Sequence, residues 1–329
     1  MKAYKIKKHT LSFLISLSIF FFLFIASGFR NGGYDYTNYV EMITFSTSAD
    51  TLFSKIMLAK DPMFGLIVGI TNPTNYEEYW RVFLSIAGLA YLGKLIFLKY
   101  LQHCIVFSII YVLLLAPGLD FAAIRALLGI VFLLCALSYL SRERHKLYYV
   151  FSLLSVMSHI SMLLPVILSL SFINERCNKN RWLLYCFVFF ISIFIKPILS
   201  LFSNTANYID VAGSIFAFFP PLLMLLSLLI VGYFLKLNVQ SEFCYRAYNL
   251  SILLSFMSLG FTFQVVVAAS RFLQVSQVLF LVVICCVYFK KSPYNIILYF
   301  AALLCYAIPL LYQNYDFDLW RSAWASIDF

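Results

Sequence analysis

Charge is what this chain has least of. Only 12% of its 329 residues are Asp, Glu, Lys or Arg, about half the roughly 25% usual in a soluble domain. That scarcity excludes an ordinary water-soluble globule. Carboxylates are the scarcer sign, 14 against 24 basic residues, for a net charge of +10. No basic stretch interleaved with aromatics forms a soluble patch, which excludes nucleic acid as a partner. In a membrane chain a positive excess belongs to cytoplasmic loops. The eight cysteines contain no C-x-x-C, lie mostly in apolar runs and have no set of partnering histidines. They read as small apolar residues rather than metal ligands or a disulfide framework, and no metal is expected. The sequence has no G-x-x-x-x-G-K-[ST], no G-x-G-x-x-G after a strand, no H-E-x-x-H and no G-x-S-x-G. ATP hydrolysis, nucleotide binding and zinc hydrolysis therefore lack support, and no cofactor is expected. No internal repeat is evident.

What is abundant is apolar sequence: 63% hydrophobic residues and a mean hydropathy of +0.91. Runs near twenty residues recur from end to end, the length that spans a bilayer as a helix. The fold class is all-α and polytopic. Candidate spans are 10–29, 79–99, 103–118, 121–140, 147–158, 160–173, 182–201, 214–236, 248–268, 271–290 and 294–312, about 10–11 helices. No soluble domain fits between them, so 1–329 reads as one integral membrane domain with an outer segment 30–78 and an outer tail 313–329. The first apolar run follows MKAYKIKKHT and is longer than a cleavable signal core. It is expected to be the first transmembrane helix, with the basic N-terminus in the cytoplasm.

The two segments on either side of His159 are each too short for an ordinary span. They form two short helices meeting at Ser158–His159, a re-entrant hairpin, or one long helix. Charge favours entry and exit on one side, because Arg142, Arg144 and Lys146 precede the pair and Arg176, Lys179 and Arg181 follow it. Both clusters belong inside by the positive-inside rule, which puts His159 toward the outer face. The same alternation puts inner loops at 237–247 and outer turns at 119–120 and 269–270.

Several polar residues then fall on the outer side. A cation at a bilayer centre costs about 2.5–3.5 kcal/mol on insertion scales, so Arg125 either faces a protein-lined cavity or snorkels to the interface. Arg81, Lys196 and Arg271 also lie near outer helix ends, and together they are expected to point toward one outer cavity. The prolines Pro220–Pro221 are expected to kink their helix there. In the outer segment, RNGGYDYTNYVEMI breaks the first helix at Gly32–Gly33. A helical continuation would put Asp35 and Tyr39 on one face at i, i+4. Asp35 beside Tyr34, Tyr36 and Tyr39 suits sugar hydroxyls and sugar faces; the plainer reading of the tyrosines is an interfacial aromatic belt. Farther on, KDPMFGLIVGI has Asp61 before Pro62, a pair that caps a helix start, and is expected to be an interfacial or re-entrant helix.

Outer cations in an apolar chain suit an anionic amphiphile. Guanidinium forks bind phosphates through charge-assisted hydrogen bonds, and a lipid diphosphate held this way is a good leaving group. Asp35 and His159 are the candidate catalytic residues, either one acting as base toward a sugar hydroxyl. Arg81, Arg125, Arg271, Tyr34 and Tyr39 are the candidate substrate-binding residues.

In order and spacing, GGYDYTNY, KDPMFGLI, LDFAAIRALLGIVFLLCALSYL, MSHISMLLPVIL and ASRFLQVSQVLFLV resemble the EpsG-like and Wzy-type polysaccharide polymerases. The matching positions are Asp35 with Tyr39, Asp61-Pro62-Met63-Phe64, Arg125, His159-Ile160-Ser161 and Arg271; Asp61 stands where the family more often has Glu. Each motif is short, and together they cover most of the chain. The resemblance implies a GT-C-like helical fold in a bacterial inner membrane. It also implies transfer of an undecaprenyl-pyrophosphate-linked glycan onto another lipid-linked repeat unit at the outer leaflet. The expected partners are that lipid-linked glycan, membrane lipid and a protein that regulates chain length. Two other functions compete. An O-antigen ligase usually carries a larger outer loop than any here. A flippase or transporter predicts cations along a path across the bilayer and an internal repeat, whereas these cations gather at one side.

Overall fold

The computed structural model describes residues 2–59, 61–170, 181–194, 215–238, 241–286, 293–316, 318–319 and 321. Among them every regular element is helical. Four helical stretches are long and apolar enough to cross a membrane: Thr10–Gly28, Tyr76–Leu98, Val266–Cys286 and Tyr294–Tyr315. Shorter apolar helices, among them Cys104–Leu119, Ile124–Leu140 and Phe219–Tyr233, account for further runs. The chain is an all-α polytopic membrane protein. It divides into two compact units, residues 1–166 with 311–329, and residues 167–310.

The first unit is built around α1 (Lys2–Gly28), α5 (Trp80–Leu98), α6 (Cys104–Ile110), α8 (Ile124–Leu140) and α9 (His145–Ser158). Helix α8 is its centre, with nearly every residue from Ile124 to Leu140 buried. It lacks polar faces because it touches other helices on all sides. Between α1 and α5 the segment expected to lie outside folds as three short helices: α2 (Tyr36–Thr47), α3 (Leu52–Leu58) and α4 (Pro62–Thr71). Helix α4 packs against α2, α3, α5 and α9, so the apolar run after Pro62 is a buried structural piece of this unit.

A wide π turn over Tyr111–Leu115 follows α6, then the single turn α7 (Ala116–Leu119) with Pro117. Such widened turns mark a helix that bends for a reason. Here the bend delivers Asp120 into the interior, 3% exposed. Its carboxylate accepts from Lys94 Nζ at 2.7 Å and from the Tyr111 hydroxyl at 2.6 Å, and the Lys94 ammonium also lies 4.4 Å from the Tyr111 ring centroid. Asp120 was expected in the outer turn at 119–120. Instead Ala123 holds the cap position of α8, and Asp120 neutralises a lysine in the middle of the apolar run of α5.

The second unit contains α11 (Arg181–Ile193), α12 (Phe219–Asn238), α13 (Glu242–Phe261) and α14 (Val266–Cys286). Helices α13 and α14 close on a serine seam. Ser251 bonds the Ser276 hydroxyl at 2.8 Å, Ser255 bonds it at 2.7 Å, and Ser258 donates to the Ala269 carbonyl at 2.7 Å. Small hydroxyl residues let membrane helices approach closely and bond across the gap. A cleft of about 810 Å³ lies among α11, α12 and α13, lined by Trp182, Tyr185, Leu225, Gly232, Tyr248 and Asn249.

Three expectations about this unit need correction. The turn expected at 269–270 lies at Thr262–Val265, and VVAAS already belongs to α14. The start of α13 falls at Glu242, inside the expected inner loop 237–247, with the Ser241 hydroxyl capping Cys244 N–H. Pro220 and Pro221 sit in the first turn of α12, where a missing N–H costs nothing and no kink results. Lys196 lies outside the described residues. A last helix, α15, runs from Pro293 to Asp316, into the segment expected to be an outer tail.

Candidate functional site

The site forms where three chain breaks of the first unit meet. One is at Asp61. Pro62 excludes helical geometry from the residue before it, and Asp61 is extended (φ −124°, ψ 121°) at the cap position of α4. Its side chain makes no capping bond; the expected capping role is vacant because the carboxylate turns to other donors. The second break is at His159. A helix continued through Pro165 would lose the N–H of residue 165 and clash with the carbonyl four residues earlier. Helix α9 stops at Ser158 instead, His159 is extended (φ −160°, ψ 119°), and a tight turn over Ile160–Met162 leads into α10 (Leu163–Leu170). The break at His159 removes one long helix from the three shapes expected here. The third break is the start of α8, whose second residue is Arg125.

Asp61 joins them. Its Oδ2 accepts from Arg125 Nη1 in a close ion pair. His159 Nδ1 lies 3.3 Å from Oδ2 and 3.4 Å from Oδ1. The Ile160 amide, freed by the helix break, donates to Oδ1 at 3.2 Å. The Asp61 side chain is 2% exposed, against 20% for Arg125 and 17% for His159. Burial pushes the carboxyl up, but the bonds from His159 and the Ile160 amide and the Arg125 charge together hold it below the usual carboxylate range. An ionised Asp61 can only accept, so the hydrogen of this contact lies on His159 Nδ1. At 3.3–3.4 Å these two contacts are long for hydrogen bonds.

Tyr39 backs the cluster. It is buried, and the Arg125 guanidinium carbon lies 5.5 Å from its ring centroid. A second guanidinium, Arg30, lies 5.5 Å from the same ring and 4.8 Å from that of Phe83. Arg30 is wholly buried, and its Nη1 donates to the Phe121 carbonyl. Burial pushes it down to about 10, opposed by Tyr39, Tyr36, Asp35 and Asp120, so it stays charged at neutral pH. Among the described residues Arg30 Nε and Nη2, Arg125 Nε and Ser161 Oγ have no hydrogen-bond partner. A buried donor left unpaired costs about 1–3 kcal/mol.

The expected site residues thus divide. Arg125, His159 and Tyr39 come together. Asp35 sits at the cap position of α2, accepts from Asn38 at 3.2 Å and makes no contact with His159. Its charge is felt by Arg30. Tyr34 is exposed. Arg81 is also exposed, and its partners are Glu78 at 3.0 Å and the Trp80 ring; an exposed pair of this kind contributes little. Arg271 belongs to the second unit, in the second turn of α14 and not at a helix start, and donates to Gln274 at 3.2 Å. Asp61 and Arg30 were missed as site residues. A carboxylate in an apolar stretch next to a proline, and a cation directly after a long apolar helix, are the signals that point to them.

Gly129 sets the distance between α8 and α9. A Cβ there would lie 2.7 Å from Met162 Cγ, 3.2 Å from the Ser155 carbonyl and 3.5 Å from His159 Cβ, and Ser155 Oγ donates to the Gly129 carbonyl at 2.7 Å. Gly129→Ala is expected to push α9 and His159 away from Asp61, with an overpacking cost of about 1–3 kcal/mol. A lower melting temperature of the purified protein and a loss of activity that exceeds the loss of folded protein would register both effects.

Among the described residues no three His, Cys, Asp or Glu side chains converge as metal ligands do. The model of the EpsG family matches residues 13–324. No curated protein and no solved structure matches the chain.

Proposed function

The chain belongs to the EpsG family, which supports a polysaccharide-polymerase-like activity in general, and from that premise we propose that it joins lipid-linked oligosaccharide repeat units. The substrates are glycans on undecaprenyl pyrophosphate, and the reaction takes place at the outer leaflet of the bacterial inner membrane, with the N-terminus cytoplasmic. The observation that carries this reading is one buried carboxylate, Asp61, holding both Arg125 and His159.

The chemistry follows from that arrangement. His159 Nε2 takes the proton of an acceptor sugar hydroxyl, and Asp61, bonded at Nδ1, orients the ring and stabilises its charged form. The acceptor oxygen bonds to the anomeric carbon of the donor, whose bond to the diphosphate oxygen breaks. The lipid diphosphate leaves with the electron pair, its charge met by Arg125. Tyr34 and Asp35 stand on the segment leading into α2 and Tyr39 in its first turn, and rings and a carboxylate suit sugar faces and hydroxyls. Arg81 and Arg271 are further candidates for the anionic substrate.

His159→Gln keeps a hydrogen-bonding side chain without an imidazole's proton chemistry. Its rate is expected to fall on the order of 10²–10⁴-fold, the usual contribution of a positioned base. The measurement is the length distribution of surface glycan in cells expressing equal amounts of either protein. Short glycan in the variant supports the assignment, and wild-type length removes His159 as base.

A further inference from the structure

We infer that Arg30 and Arg125 form a two-guanidinium diphosphate subsite astride Tyr39, covered by the turn at Gly32–Gly33. The inference rests on the function proposed above and adds to it a residue, Arg30, and a means of entry.

Arg30 is an unusual structural residue. It is fully buried, yet only Nη1 has a hydrogen-bond partner, the Phe121 carbonyl; Nε and Nη2 have none among the described residues. Among the described residues no carboxylate forms an ion pair with it. Both oxygens of Asp120 are taken, by Lys94 and by Tyr111. Asp61 serves Arg125 and His159, and Asp35 accepts from Asn38. An aliphatic side chain would fill the same space between Tyr39 and Phe83 without stranding any donor. The fork of Arg30 instead lies on the same ring as the fork of Arg125, whose Nε is likewise unpaired.

Two planar forks with unused donors on one ring suit a ligand with two adjacent anionic oxygen groups. A diphosphate has that form, one phosphoryl group for each guanidinium, and Arg matches phosphate geometry in a way Lys does not. The cover is the turn that follows α1. Gly33 has φ +115°, and a Cβ there would meet the Phe121 carbonyl at 3.0 Å and Arg30 Nη1 at 4.0 Å. The turn therefore lies within van der Waals reach of the Nη1 end of the guanidinium, the end that donates to Phe121. Two consecutive glycines, Gly32 and Gly33, give that turn the freedom to swing aside.

The test is binding by the purified full-length protein in detergent, at constant ionic strength. Inorganic pyrophosphate and farnesyl diphosphate are titrated separately, with tryptophan fluorescence as readout. Wild-type protein is expected to bind, with Arg30→Met weakened at least tenfold. Arg30→Lys keeps the charge over Tyr39 and Phe83 but loses the fork, and is expected to fall between them. Equal affinity for both ligands identifies free diphosphate as sufficient; tighter binding of farnesyl diphosphate identifies a lipid ester as the ligand. Either result supports the site. Absence of binding to wild type overturns it, as does wild-type affinity in a folded Arg30→Met. If Arg30→Met fails to fold, Arg30→Lys decides, and unchanged affinity there overturns the inference. Binding lost with Arg30→Met in a protein that makes no polymer would keep the subsite and refute the polymerase reading.

Discussion

Asp61→Asn is expected to stop glycan extension while the protein still reaches the membrane. The substitution keeps the shape of the side chain and removes its charge. Arg125 then loses its only ion-pair partner among the described residues, and His159 loses the anion that stabilises its protonated form. Removing one member of a buried ion pair costs about 3–5 kcal/mol, because the other charge stays behind. The catalytic loss adds to this. A base without its orienting carboxylate is expected to lose on the order of 10²–10⁴-fold in rate. The two effects separate experimentally: the melting temperature of purified protein reports the first, and the rate per folded molecule reports the second. Asp61→Glu should retain part of both, since it restores the charge one methylene farther out. A variant Asp61→Asn that melts lower but turns over normally would reduce Asp61 to a structural anchor.

Arg125→Ala should be nearly as severe for a different reason. It leaves the Asp61 carboxylate, 2% exposed, with only His159 and the Ile160 amide to meet it. The same penalty of about 3–5 kcal/mol applies, and the cation that meets the leaving diphosphate is gone. Surface glycan in cells is expected to carry single repeat units. Arg125→Lys separates the roles. Lys restores the charge opposite Asp61, so stability should largely return, but it lacks the fork that grips two oxygens at once. Stability restored with glycan still short would assign Arg125 to substrate; long glycan chains in Arg125→Ala would remove it from the reaction.

The parts of this site that were legible in the sequence are those with local signals. The break at His159 could be read because the runs on either side are each too short to span and basic clusters stand before and after the pair. Arg125 could be read because a cation at the edge of a long apolar segment needs a reason to be there. The link between them could not. Asp61 lies 98 residues from His159 and 64 from Arg125, and a sequence offers no account of which distant donors a carboxylate will meet. What it offers is the local rule, by which an Asp before Pro reads as a helix cap. Tertiary partners displaced that rule here, as they did for Asp120, whose place before α8 also looks like a cap and whose partner is Lys94. Helix ends were misread where apolar sequence continues across a turn. Arg271 shows this: the turn at Thr262–Val265 is marked only by the uncharged Thr262 and Gln264, a weaker signal than a charge, and the break was expected beside Arg271 instead. Pro220 and Pro221 were misread because a proline pair is equally at home starting a helix as bending one.

The central role of the Asp61–His159 pair is tested most directly by following extension in a purified system. The full-length protein in lipid nanodiscs would be given a defined lipid-linked oligosaccharide, and products resolved by size together with the released polyprenyl diphosphate. Wild-type protein should give a ladder of whole repeat units with one diphosphate released per unit joined, and folded Asp61→Asn should give neither. A full ladder from Asp61→Asn at the wild-type rate would contradict the assignment of this buried carboxylate and its histidine to the chemistry.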